Sequence, residues 1–215
     1  MAPKPRKKDD REILDAARDC FLAHGPGVST EVIAEHAGLS QACLFKRFKT
    51  KEKLMLDALL PSAQDDLTAW LNAGPAAQNL RPQLQELIER LWSATQEAVP
   101  RMSVLHMSGI LRDKWTLAYE KIPYLTVSRS IENWLRRAQN MGIAREDFIP
   151  CHWTQTLLGT LLGRALLNDV LLPHFGAEDT TICLSNDDEN MILDSVVHLF
   201  YQSIAVPGPI PDNTD

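Results

Sequence analysis

Between residues 25 and 51 the chain is punctuated so closely that only short helices fit. Gly25, Pro26 and Gly27 stop one segment and turn the chain. Ser29 stands where an N-cap belongs, ahead of Val32, Ile33, Ala34 and Ala37. Gly38 stops that second segment. Ser40 is placed to cap a third, carrying Leu44 and Phe48 inward, and Thr50 a fourth, with Leu54, Met55, Ala58 and Leu59 on one face. Upstream, Ile13, Ala16, Ala17, Cys20, Phe21 and His24 recur at helical spacing from Asp10 to the stop at Gly25. One longer helix followed by two very short ones, joined through Ala37-Gly38-Leu39-Ser40, spells a helix-turn-helix. Glycine permits positive φ at the turn, and the small Ala34 and Ala37 let the two helices cross closely.

The rest of the chain is also helical in pattern, with longer helices. Pro61 interrupts the fourth helix or restarts it. Residues 73–81 read as a loop. Leu84, Leu87, Ile88, Leu91, Trp92 and Thr95 then form an amphipathic stripe expected to end near Pro100, with another helix over 101–113. Pro123 is expected to open a helix with Val127, Ile131, Trp134, Leu135 and Ala138, closed by Gly142. Pro150 opens the next, running to about Leu172 and apolar on nearly every face. Ser185 and Asp188 resemble a capping box ahead of Met191, Ile192, Val196, Leu199, Phe200 and Ile204. No segment alternates like a strand. The fold class is therefore all-α: an N-terminal three-helix helix-turn-helix head plus a larger helical body. The expected boundaries are a flexible basic arm at 1–9, the head at 10–52, the body at 53–205 and a disordered tail at 206–215.

Charge is divided unevenly. Residues 1–51 hold ten Lys/Arg against seven Asp/Glu, whereas the whole chain carries −6. A basic end on an acidic body suits a protein that touches an anionic polymer with one end. Enzyme chemistry finds no foothold, because there is no GxSxG, P-loop or HExxH and no catalytic residue to name. Cys20, Cys43, Cys151 and Cys183 are scattered without metal spacing, so free thiols and no metal or cofactor are expected. MAPKPRKKDDRE lacks an apolar stretch and no run is long enough to cross a membrane, which makes the cytoplasm the expected location.

Residues 12–60 resemble the DNA-binding head of the TetR (tetracycline-repressor) family, on the stretches ILDAARDCFLAHG, VIAEHAGLS and LFKRFKTKEKL. The remainder is similar to that family in architecture only. The resemblance implies a homodimer that presents two heads to successive major grooves of a palindromic double-stranded operator. It further implies a small-molecule effector that enters the body, shifts the fourth helix and releases DNA, the regulator most often being a repressor.

The residues of the head fit that role. Gln41, Ala42, Cys43, Phe45 and Lys46 fall on the outward side of a recognition helix beginning at Ser40. Gln41 suits adenine or a phosphate, and Ala42 and Cys43 suit thymine methyls. Ser29, Thr30 and Lys51 stand at helix N-termini that favour phosphate, and Arg47 is a further backbone candidate or a solvated charge. The basic residues Lys4, Arg6, Lys7 and Lys8 suit either a minor-groove arm or a solubilising tail. Departures are visible: the family often has Gly-Thr where Ala42-Cys43 stand and Tyr where Phe45 stands. The turn at Pro26-Gly27 is also about one residue short.

In the body, Trp92, His106, Met107, Trp115, Tyr119 and Trp134 are candidates to line a pocket for a largely apolar or aromatic effector, or simply to fill a core. Arg164 would meet an acidic ligand there, or pair with Asp169 or Asp194 across the dimer; pairing is the favoured expectation. A helix apolar all round must be buried all round. Leu158, Leu162, Leu166, Val196 and Phe200 are therefore expected to join the last two helices of two chains in a four-helix bundle, where Gly159 and Gly163 allow close approach. The rival reading keeps the fold and changes the task to lipid or protein binding without DNA.

Overall fold

The computed structural model describes residues 9–60, 65–112, 124–168 and 189–206. These residues are helical apart from their connections, and the single isolated bridge among them joins Ala144 to Ala205. They gather into two compact units.

The first unit comprises residues 9–60 and 98–112. Helix α1 (Asp10–His24) begins in a capping box: Asp9 accepts from the first turn while its own N–H reaches Glu12 Oε2 at 3.0 Å. Asp9 is thus a helix cap and not the end of an arm. Gly25, at φ 73°, closes α1. Helices α2 (Thr30–His36), α3 (Gln41–Phe48) and α4 (Lys51–Leu59) follow, each with the expected hydroxyl cap. Ser29 Oγ accepts from Val32 N, Ser40 Oγ from Cys43 N and Thr50 Oγ1 from Lys53 N. Gly38 takes φ 64° and Leu39 N–H reaches back to Ala34 O at 2.8 Å, so the turn between α2 and α3 needs its glycine.

Ile13, Ala17, Phe21, Ile33, Ala34, Leu44, Phe48, Leu54, Ala58 and Leu59 are buried together in one core. Burying each of the larger side chains is worth about 1.5–3 kcal/mol. Arg18 on α1 donates to Ala58 O in the last turn of α4, satisfying a carbonyl the helix end leaves free. Helix α4 ends at Leu59, with Leu60 extended, as the residue before a proline prefers. The next described helix is α5 (Asp65–Ala73), so the pattern ends and restarts around Pro61, which lies outside the described residues.

Helix α6 (Leu80–Met107) continues past Pro100, where the sequence predicts a stop. A mid-helix proline forfeits one hydrogen bond and crowds the preceding turn, at about 3 kcal/mol. Val99, Val104 and Leu105, buried around it, offset that cost. The latter two and Leu111 join the core of α1–α4. The boundary expected at 52/53 therefore falls inside α4, which packs wholly in the first unit.

The second unit comprises residues 65–97, 124–168 and 189–206. Its described helices are α5, the first part of α6, α7 (Tyr124–Asn140), α8 (Pro150–Leu166) and α9 (Glu189–Ile204). Trp134 of α7 is fully buried and stacks on Trp70 of α5 at 6.0 Å between ring centroids. Arg137 donates to the carbonyls of Leu71 and Asn72 at the end of α5. Gly74 permits this, because a Cβ there would stand 2.7 Å from Arg137 Nη1. Trp153 of α8 meets Phe200 of α9 edge to face and donates to Ser203 Oγ at 3.0 Å. Gly142 closes α7 as expected, at φ 70°.

Candidate nucleic-acid interface

Helix α3 presents two kinds of side chain. Leu44 and Phe48 anchor it in the core, while Ala42 and Lys46 are exposed and Gln41, Cys43, Phe45 and Arg47 are half-buried. Ser29 and Ser40 are exposed at the starts of α2 and α3; Thr30 and Lys51 are half-buried at the starts of α2 and α4. In Ser29, Ser40 and Thr50 the hydroxyl oxygen accepts the capping bond, leaving the O–H proton free to donate outward. The fold thus carries every candidate named from the sequence on α2, α3, α4 or their caps.

Two of those candidates have partners the sequence does not reveal. Gln41 Nε2 donates to Thr30 Oγ1 at 2.7 Å and to Glu31 Oε1 at 3.1 Å. Arg47 Nη1 pairs with Asp10 Oδ1 at 2.8 Å, tying α3 to the first residue of α1. Arg47 is therefore held as a strut between α3 and α1. Both partners lie far off in sequence, so no local signal marks them. Asp9 as a cap was findable, because Asp9 and Glu12 have capping-box spacing.

The junction of α3 and α4 stores strain. Lys49 takes φ 65° and ψ −55°, and Thr50 N–H reaches Phe48 O at 2.7 Å, which makes a γ-turn with positive φ at a non-glycine residue. Such a conformation costs about 1–3 kcal/mol. Lys49→Gly is expected to raise stability by about 1 kcal/mol, after allowing for glycine's greater entropy when unfolded. Urea denaturation followed by circular dichroism measures it; an unchanged or lower midpoint would contradict the strain.

The second unit holds a small cavity of about 80 Å³ lined by Trp92, Thr160, Leu161, Arg164, Ile192, Leu193 and Val196. Of the pocket candidates, Trp92 and Arg164 line it. His106 is exposed and Met107 is 66% exposed, and neither lines this cavity. Both fall at the end of α6 on the side turned from the core that takes Val104 and Leu105. Trp134 is packed against Trp70 instead. Trp115, Tyr119 and Asp169 lie outside the described residues. Within its own chain no ion pair of Arg164 is found among the described residues; the pairing expected with Asp169 or Asp194 runs across a dimer.

Along α8 and α9 the apolar residues divide. Leu158 and Phe200 are buried inside their own chain and Val196 is half-buried at the cavity, so these three do not form an outward face. Leu162 and Leu166 are exposed, as are Met191 and Leu199. Beyond their own helix, nothing described lies within 4 Å of where a Cβ would stand on Gly159 or Gly163.

A helix-turn-helix anchored by its apolar face, with polar and basic residues outward, defines a DNA-binding regulator. Residues 13–58 match the model of the bacterial regulatory proteins of the tetR family. The chain is 26% identical over 153 residues to the HTH-type transcriptional repressor AcnR of Corynebacterium diphtheriae, covering 71% of this chain and 76% of that relative. A solved structure assigned to the TetR-family transcriptional regulators, from Mesorhizobium loti, aligns with a TM-score of 0.69 at 24% identity, over 92% of this chain and 96% of that one. A solved complex of SmeT with triclosan aligns with a TM-score of 0.59 at 19% identity, over 94% and 98%. Over residues 13–58 the chain therefore carries a DNA-binding domain of the tetR type, and its fold is that of the TetR-family structures it aligns with. Among the described residues no helix is long and apolar enough to cross a membrane, and no group of His, Cys, Asp or Glu is arranged to hold a metal.

Proposed function

We propose that this chain is a homodimeric repressor that grips a palindromic operator and is released from it by a small, largely apolar or aromatic effector. The observation that carries the reading is α3: its apolar side is locked in the core, and its outward side offers Gln41, Ala42, Cys43, Phe45 and Lys46. Ser29, Thr30, Ser40 and Lys51 surround it with donors suited to phosphate. The relative AcnR, named a transcriptional repressor, supports repression. The exposed Leu162, Leu166, Met191 and Leu199 support a second copy against α8 and α9. The cavity at Trp92, together with triclosan in the SmeT complex, supports an apolar effector.

Selection from random duplex DNA at near-physiological salt tests the reading. A palindrome with regular half-site spacing is expected. A folded dimer that enriches nothing would instead favour a lipid- or protein-binding module on the same fold. Lys51→Ala is expected to weaken binding on all sequences alike and to lower the slope of log affinity against log salt by about one. Equal slopes for the two proteins would remove Lys51 from the phosphate contacts.

A further inference from the structure

The side-chain amide of Gln41, on the outward side of α3, is held at the start of α2. Its Nε2 donates at 2.7 Å to Thr30 Oγ1 and at 3.1 Å to Glu31 Oε1. A primary amide has two N–H donors, and this pair of contacts uses both. Chemistry fixes which end of the amide is which: a carboxylate offers only acceptors, so the group meeting Glu31 is the NH2. The capacity left to Gln41 is its carbonyl oxygen, Oε1. Thr30 accepts from the amide and keeps its own O–H proton, so the clamp leaves that hydroxyl able to donate to a phosphate.

A free glutamine in the major groove pairs bidentately with adenine, accepting from N6 and donating to N7. The clamp has taken the donor that this pairing needs. We propose that Gln41 reads the operator as an acceptor only, with Glu31 and Thr30 as the positioning residues that hold it so. Its target is then the exocyclic amino group of either amino base, adenine N6 or cytosine N4, without discrimination between the two. Guanine and thymine on the contacted strand are rejected, because their major-groove edges present acceptors to an acceptor. The inference rests on the operator-reading role proposed above and adds the kind of base that one position selects. It also assigns Glu31 a part: an acidic residue beside a phosphate-binding surface is unfavourable for affinity, and here it narrows what Gln41 is able to do.

The test is selection from random duplex DNA with four full-length proteins: wild type, Gln41→Ala, Glu31→Ala and Glu31→Gln. Circular dichroism melts confirm that each is folded. The position that loses its preference in Gln41→Ala identifies the base under Gln41. There the wild type is expected to enrich adenine and cytosine comparably on one strand. Glu31→Ala frees an N–H and is expected to favour adenine over cytosine by about tenfold, as a bidentate pair does. Glu31→Gln keeps an acceptor facing the amide and should retain the mixed preference. A merely structural Glu31 would change overall affinity without changing that ratio. Adenine alone in the wild type, an unchanged ratio in Glu31→Ala, or no position altered by Gln41→Ala would each overturn the proposal while leaving operator reading intact. A folded wild type that enriches no motif would overturn both.

Discussion

Leu162→Glu combined with Leu166→Glu is expected to yield a folded chain that sediments as a monomer and has lost operator binding. Both leucines stand on α8 at 42% and 38% exposure, whereas Leu157, Leu158 and Leu161 of the same helix are buried. Their neighbours Gly159 and Gly163 leave open space above the backbone. An apolar face of this kind is covered in a stable protein, and a two-fold dimer covers it with itself. In such an interface each substitution occurs twice, so the double variant places four carboxylates where apolar contact was. Like charges brought together across an interface cost several kcal/mol. A single head then binds without the second half-site, and the loss should be on the order of a thousandfold at physiological salt, approaching non-specific binding. Analytical ultracentrifugation and an operator titration measure the two effects. A double variant that stays dimeric would remove α8 from the interface. A monomer that keeps full operator affinity would remove the dimer from the mechanism.

How legible all this was in the sequence follows from the range of each interaction. The caps at Ser29, Ser40 and Thr50 and the stops at Gly25, Gly38 and Gly142 are local, so residue type at the right offset gives them away. The inward set of α3 and α4 follows from helical period alone, and Leu44, Phe48, Leu54 and Leu59 are buried as the period requires. The contacts that tune the candidate site are different. Gln41 with Glu31, and Arg47 with Asp10, depend on how helices cross, which periodicity does not encode.

The same difference explains the body. Aromatic and Met residues there suit a pocket by type, but type does not say which face meets a cavity. Trp134 is core, Met107 is exposed and Trp92 alone of the three lines the cavity. Leu158 and Leu162 read alike in sequence, yet one turns inward and the other outward. Pro100 predicts a stop because its local cost is real. Packing on either side of it decides otherwise, as tertiary contacts often override propensity.

That packing carries the second large effect. Leu105→Ala is expected to destabilise the unit that holds the helix-turn-helix by about 2–5 kcal/mol, through lost burial and the cavity left behind. Leu105 is fully buried and joins the core built by Ile13, Phe21, Leu44, Leu54 and Leu59, although it lies far beyond them in sequence. Met107, two residues further on, is 66% exposed, and Met107→Ala should change stability by no more than about 0.5 kcal/mol. Urea denaturation of both variants, read by circular dichroism, compares the two costs directly. Operator titrations at a fixed low urea concentration should then show Leu105→Ala losing binding first, since α3 depends on the core that Leu105 completes. Equal stability of the two variants would mean that the end of α6 is dispensable to the head, and that residues 9–60 hold their core without it.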